Sequence, residues 1–207
     1  MSRITSVEGL RRVLAMPRET TKMKLLDALD EQAKDFIKAS PFLMLATADA
    51  QGCVDVSPKG DLPGFVEIED DCTVLLPDRT GNNLAFGLEN IIATGQAGVI
   101  FLRPGTGETL RLNGRAEIFD DADLLARLGT SERPALLAIR IHIERCYFHC
   151  ARSIHRAQLW KPETWPERQR VSFGKIIAPR IGGDDKMAAD MDANTETAYT
   201  TRLWKNS

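Results

Sequence analysis

The chain has 207 residues, with 27 Lys and Arg against 29 Asp and Glu, for a formal net charge of −2. Its 43% hydrophobic and 27% charged residues are globular averages, which excludes disordered, collagen-like and low-complexity classes. A near-neutral balance also excludes a general nucleic-acid binder, which carries a basic excess to neutralise phosphates.

The first forty residues read as helical: Leu25, Leu26, Leu29, Ala33, Phe36 and Ile37 recur at helical spacing, with charged residues on the other faces. Ser40-Pro41 ends that helix, because a residue before proline disfavours the helical region. Six strand-like runs follow, at 42–47, 53–57, 73–76, 98–102, 109–119 and 139–144, each closed by turn chemistry. The last, Ile139-Arg-Ile-His-Ile-Glu144, alternates strictly and predicts a half-buried antiparallel strand. Two helices interrupt the strands. One opens near Asn82-Asn83, carries Leu84, Leu88, Ile91 and Ile92, and closes at Gly95; the other runs from Asp121 to Leu128. Beyond Pro179 the chain is polar and predicts a loop and one helix, with Trp204 docking the end. Strands joined by hairpin-length turns, with helices inserted rather than alternating, favour a small antiparallel barrel over a doubly wound α/β sheet. The organisation expected is one domain: a helical extension over 1–40, the barrel over 41–179 and a tail over 180–207.

No stretch reaches the roughly 20 apolar residues that cross a bilayer. Residues 1–16 are broken by Arg3, Glu8, Arg11 and Arg12 and lack the apolar run of a secretory signal. A cytoplasmic protein with no membrane partner is therefore expected. Four cysteines in a chain of this length do not make a disulfide framework. Cys146-x-x-His149-Cys150 falls short of the paired ligand spacing of a zinc site and reads as a reduced cluster near the barrel end.

The segment Leu76-Pro-Asp-Arg-Thr-Gly-Asn-Asn83 is the main chemical signal. A strand ends, a polar turn follows and a helix opens, so free backbone N–H groups together with Arg79, Thr80, Asn82 and Asn83 can cradle a phosphate. Ser57-Pro-Lys59 and Arg111-Leu-Asn113 bring further polar groups and cations to strand ends. On spacing alone the same residues also read as an ordinary capped helix with solvated charges.

Ser57-Pro-Lys-Gly-Asp61, Gly64-Phe65, Leu76 to Asn83, Phe101-Leu-Arg-Pro-Gly105, Glu108 to Arg115 and Cys146-Tyr-Phe-His-Cys150 stand in this order along the chain. In that order and rough spacing the sequence resembles the pyridoxamine 5′-phosphate oxidase-related, FMN-binding split-barrel flavoproteins. The resemblance spans roughly residues 40–165. It implies a mainly β, six-stranded antiparallel Greek-key split barrel with peripheral helices, and a homodimer with FMN at each subunit interface. It further implies that Arg79, Asn82 and Asn83 grip the FMN phosphate, beside Thr80 of the same turn, that Ser57 and Lys59 run along the isoalloxazine edge, and that Arg111 and Asn113 line the same pocket. Arg156 and Trp160 resemble the element that reaches the partner's flavin. The basic Arg-x-His triplet with which the true oxidases hold their substrate phosphate is absent: Lys161-Pro-Glu-Thr-Trp165 follows Trp160, and no histidine comes after it. The function expected is thus an FMN-dependent oxidase or NAD(P)H-linked reductase of a small organic molecule, with a non-catalytic flavin-binding or flavin-storing protein as the alternative. No catalytic residue and no metal are assigned.

Overall fold

Asp30 accepts a 2.8 Å hydrogen bond from the Ala33 amide and so caps the first helix that contributes to the core. The computed structural model describes residues 2–81 and 83–204. Two short, exposed helices, α1 (Val7–Arg11) and α2 (Glu19–Lys22), precede α3 (Glu31–Ala39). The single apolar helix expected across 25–37 therefore begins only at Glu31. Leu26 instead joins a β-bridge, its amide donating to the Cys146 carbonyl at 2.9 Å and its carbonyl accepting from the Cys146 amide at 2.7 Å. The Asp30 cap competes successfully with periodicity here, because it satisfies an amide that a continuous helix would bond to a carbonyl. Ala33, Phe36 and Ile37 are buried, and the Phe36 ring meets Phe148 edge-on at 5.4 Å. Ser40 ends the helix in an extended conformation, its hydroxyl donating back to the Phe36 carbonyl.

Seven strands follow: β1 (Phe42–Ala48), β2 (Val54–Gly60), β3 (Glu67–Asp70), β4 (Thr73–Asp78), β5 (Gln96–Leu102), β6 (Thr109–Phe119) and β7 (Leu137–His149). All pairings are antiparallel, in the order β2-β1-β5-β6-β7-β4-β3. The fold is the expected mainly β split barrel with peripheral helices, but with seven strands rather than six. The extra strand, β3, carries three carboxylates in four residues and so lacks an apolar alternation. It forms by pairing with β4 and sets Glu67 and Glu69 against Arg127, and Glu69 against Arg140.

Period-two alternation places the core. Leu43 and Leu45 of β1, Val99 and Phe101 of β5, Leu110 and Leu112 of β6, and Ile139, Ile141 and Ile143 of β7 join α3 in one apolar cluster. Strand β4 is buried on both faces: Val74 and Leu76 enter that cluster, whereas Leu75 packs with Ala138 and Leu128 beneath α5 (Ala122–Leu128). Asp121 caps α5 as its position ahead of the helix predicts, accepting from the Leu124 amide. Between β4 and β5, α4 (Phe86–Thr94) closes on a left-handed Gly95, as expected, but starts after Ala85 rather than at Asn82-Asn83. Its only buried residue is Ile91. Asn90 and Thr94 tether it to β1 through Thr47 Oγ1 and the Ala48 carbonyl, at 3.1 Å each.

After β7 come α6 (Arg152–Arg156), α7 (Phe173–Ile177) and α8 (Asp185–Thr201). The polar tail thus forms its expected helix. Gly174 of α7 lies so close to α8 that a Cβ would stand 1.9 Å from the Ala188 carbonyl oxygen. Trp204 docks against Arg133, whose guanidinium carbon lies 5.9 Å from the ring centroid. Among the described residues, no helix is long and apolar enough to cross a membrane.

Candidate active site

A cleft of about 470 Å³ opens between β2, the end of β4 and the start of α4, within the ~300–1,000 Å³ range of small-molecule sites. Its wall includes Ser57, Lys59, Asp78, Arg79, Asn83 and Gly87. Ser57 and Lys59 reach it because β2 is an edge strand with no partner beyond it. Ser57 pairs with Leu45, Leu45 with Val99, and Val99 with Leu112. Cross-strand partners share a face, so Asp55, Ser57 and Lys59 point to the core side while Val54, Val56 and Pro58 point away. Pro58 is tolerated in β2 because an edge strand does not need its missing donor.

Two of the expected cations are already paired inside the protein. The Lys59 ammonium is hydrogen-bonded to the Asp78 carboxylate. Arg79 meets Asp61 through Nε at 3.1 Å and Nη2 at 2.9 Å, and donates to the Arg133 carbonyl at 2.9 Å and the Leu128 carbonyl at 3.1 Å. Arg133 reaches the other Asp61 oxygen at 3.3 Å. Asp61 and Asp78 were missing from the sequence expectation because their partners lie 18 and 19 residues away, beyond any local spacing rule. Their only signal was a place in turn-forming or strand-ending segments.

The start of α4 carries the remaining donors. Asn83 and Ala85 both adopt left-handed conformations, with φ of 57° and 55°. Asn adopts this region readily, whereas Ala there costs about 1–2 kcal/mol. Ala85 offers no side-chain cap; the Leu88 amide bonds the Ala85 carbonyl at 2.8 Å, and Phe86 and Gly87, at the first two positions of α4, line the cleft, a helix start of the kind that suits an anion. Gly87 sits against β2: a Cβ at this position would lie 3.4 Å from Asp55 Oδ2 and 3.7 Å from Ser57 Oγ. Thr80 lies in the loop before α4 but is not part of the cleft wall, and Asn82 lies outside the described residues. No histidine or cysteine among the described residues lines the cleft.

The other expected residues form a second group. Arg111 pairs in register with Ile100 and Tyr147, and Ile100 with Met44 and thence Pro58. Arg111 and Asn113 therefore project from the outer face of the sheet, opposite Ser57 and Lys59. Arg111 stacks over Tyr147 at 5.4 Å. Trp160 anchors beside the β5–β6 hairpin, its indole N–H donating to the Thr106 carbonyl at 2.7 Å, and Arg156 ends α6 exposed. Within one chain the ten expected residues thus do not converge on one pocket. Cys146 is buried, and burial, assisted by the charge of Asp30, pushes its thiol up to about 11. His149 and Cys150 are exposed at the strand end.

Three solved structures illustrate what the chain is similar to. HupZ of Group A Streptococcus is 22% identical over 58% of this chain and 93% of its own, with a TM-score of 0.47. An FMN-binding protein from Syntrophomonas wolfei subsp. wolfei is 13% identical over 69% of this chain and 95% of its own, with a TM-score of 0.42. HutZ, the heme storage protein from Vibrio cholerae, is 15% identical over 59% of this chain and 94% of its own, with a TM-score of 0.43. Among curated proteins, none matches. A family profile described as pyridoxamine 5′-phosphate oxidase matches residues 29–150, from the start of the core-forming segment through the end of β7. Since that match takes in all seven strands and the cleft they build, the chain belongs to the pyridoxamine 5′-phosphate oxidase family.

Proposed function

We propose that this protein is a homodimeric FMN-dependent oxidoreductase acting on a small organic molecule, with the phosphate of the cofactor held at the β2–α4 cleft. The observation that carries the reading is the division of the site between the two faces of one sheet. Ser57, Lys59, Arg79 and Asn83 line the cleft, while Arg111, Asn113, Arg156 and Trp160 lie outside its wall. A second copy that presents its outer-face group to the β2 edge, where the cleft opens, would bring one group to the other.

That outer face suits such a contact. Val54 is 73% exposed and Val56 52%, and Phe42 and Leu62 are exposed toward the other end of β2. Exposed apolar side chains along an edge strand suit an interaction surface, and a two-fold arrangement would bury them against themselves.

The cleft residues fit FMN on three counts: volume, uncapped amides at the start of α4, and a wall that holds Arg79 and Lys59. Bound there, the flavin supplies the hydride or electron-pair transfer. Arg79, Asn83 and the α4 amides bind the phosphate, a group of about −1.5 to −2 charge. Ser57 and Lys59 would orient the ring, with the Lys59 ammonium itself held by Asp78. The lack of histidine and cysteine in the cleft wall fits chemistry carried by the cofactor. The same lack also favours a second reading, a flavin-binding protein without turnover.

Purified protein reconstituted with FMN should show a bound-flavin spectrum and a raised melting temperature; the absence of both would sink the reading. Anaerobic reduction of the bound flavin by NADH or NADPH separates a reductase from a binder. Oxygen-dependent turnover of pyridoxamine phosphate would overturn the inference drawn from the missing Arg-x-His.

A further inference from the structure

We propose that Asp61 is the positioning residue for Arg79, and that it thereby makes the cleft selective for a phosphorylated ligand over its dephosphorylated form. This rests on reading the cleft as the flavin site, and it goes beyond that reading by assigning the selectivity to a residue outside the cleft wall.

The Asp61 side chain is 2% exposed. A carboxylate buried to that degree is retained only when paired and hydrogen-bonded. Its partners come from two other segments: Arg79 from the loop after β4, and Arg133 from the connection between α5 and β7. Arg79 also donates to the carbonyls of Leu128 and Arg133, so its guanidinium is fixed from two sides. Its Nε and Nη2 face Asp61, Nη2 also donates to Leu128 and Nη1 to Arg133, so of its five N–H groups one on Nη1 is left for a ligand. The side chain is 15% exposed and lines the cleft.

Charge counting points the same way. Two guanidinium groups share the Asp61 carboxylate, so it cancels only one of them, while Lys59 and Asp78 cancel and Asp55 in the cleft wall offsets the remaining charge, which leaves the orientation of the donors rather than net charge to select an anion. Asp61 therefore does not neutralise the anion site. It fixes the orientation of a planar donor that recognises a phosphate by geometry as well as charge. A flexible arginine at the same place would attract the anion but would first have to be ordered by it.

The test compares FMN with riboflavin, which has the same ring system and no phosphate. Dissociation constants are measured by fluorescence quenching on the full-length protein and on Asp61→Asn. Wild type should prefer FMN, and the substitution should lower the FMN-to-riboflavin preference by about tenfold or more while riboflavin affinity stays within about twofold. A purely structural brace would lower both affinities in parallel, and that result, or an unchanged preference, overturns the proposal. Should Asp61→Asn fail to fold, Asp61→Glu keeps the charge while its longer arm displaces the guanidinium, and the preference is read in the same way. Wild-type protein that binds both flavins equally overturns the role of Asp61 alone. Protein that binds neither removes the flavin reading itself.

Discussion

Trp160 donates its indole N–H to the carbonyl of Thr106 at 2.7 Å, tying the first segment after the barrel to the hairpin between β5 and β6. The close approach is made possible by Gly107, where a Cβ would fall 2.6 Å from the Cβ of Ala151. The bond and the close approach together hold the β5–β6 hairpin against α6.

Trp160→Phe keeps most of the ring and removes the donor, leaving the Thr106 carbonyl to water. The expected loss is about 1 kcal/mol in urea unfolding. Gly107→Val forces α6 off the hairpin and should be the more damaging change. If Trp160→Phe costs nothing while Gly107→Val costs much, the hydrogen bond contributes no stability and steric fit alone holds the segment.

Val56→Glu tests the outer sheet face. Val56 is exposed, so its replacement in an isolated chain should change stability by no more than about 0.5 kcal/mol. In the proposed dimer the same change buries a charge on the contact face of each copy. Light scattering or sedimentation should report a dimer for the wild type and a monomer for the variant, with the melting temperature of the barrel nearly unchanged. A variant that stays the same size as wild type places the interface elsewhere.

Cysteine reactivity separates the core from the surface. Cys53 and Cys150 are exposed and Cys146 is buried. With the Cys146 thiol pushed up to about 11, only about one molecule in a thousand carries its thiolate at about pH 8. Iodoacetamide should modify Cys53 and Cys150 in the native protein, and Cys146 only after unfolding. Because burial raises this group above its ordinary value of 9.0, its contribution to stability is present below that pH and is lost as pH rises toward 11. Early labelling of Cys146 would show that the contact between the N-terminal arm at Leu26 and β7 opens readily.

Much of this fold is legible in the sequence because it rests on local periodicity. The alternation of Ile139, Ile141 and Ile143, the cap at Asp121 and the left-handed Gly95 each arise from neighbours within one element. What sequence spacing missed depends on distant partners. β3 is a strand through its pairing with β4 rather than through its own composition. Leu26 is extended because Cys146 completes a bridge with it. The start of α4 shifts four residues because left-handed Asn83 and Ala85 prolong the loop. The candidate site divides in the same way. Ser57, Lys59, Arg79 and Asn83 converge as their strand ends and turns suggested, whereas the carboxylates that hold the cations, Asp61 and Asp78, become visible only in three dimensions. Arg111 and Asn113 sit on the opposite face because strand parity relative to β2 is set by the register of four strands together.

The α7–α8 pair supplies an acid-sensitive element distinct from the barrel. The Ser172 hydroxyl donates to the Asp192 carboxylate, and the Gly174 amide donates to the other oxygen at 2.8 Å. These bonds, the hydroxyl first and the amide second, hold the Asp192 carboxyl below its ordinary value of 3.8, with Arg170 and Lys175 adding attraction. A carboxylate with a depressed folded-state pKa stabilises the structure above its unfolded value, and this contribution is lost as pH falls through the folded value. The pair should therefore remain closed at neutral pH and loosen below 3.8. Hydrogen exchange at Ala188 and its neighbours on α8 should accelerate in that window while amides of β6 and β7 stay protected. Asp192→Asn cannot ionise, so it should abolish the pH dependence of exchange there. Ser172→Ala, which removes the main cause of the shift, should move the transition up toward 3.8. If exchange on α8 and on the central strands accelerates together in the wild type, the pair is not an independent acid-labile unit and the Asp192 bonds do not control it.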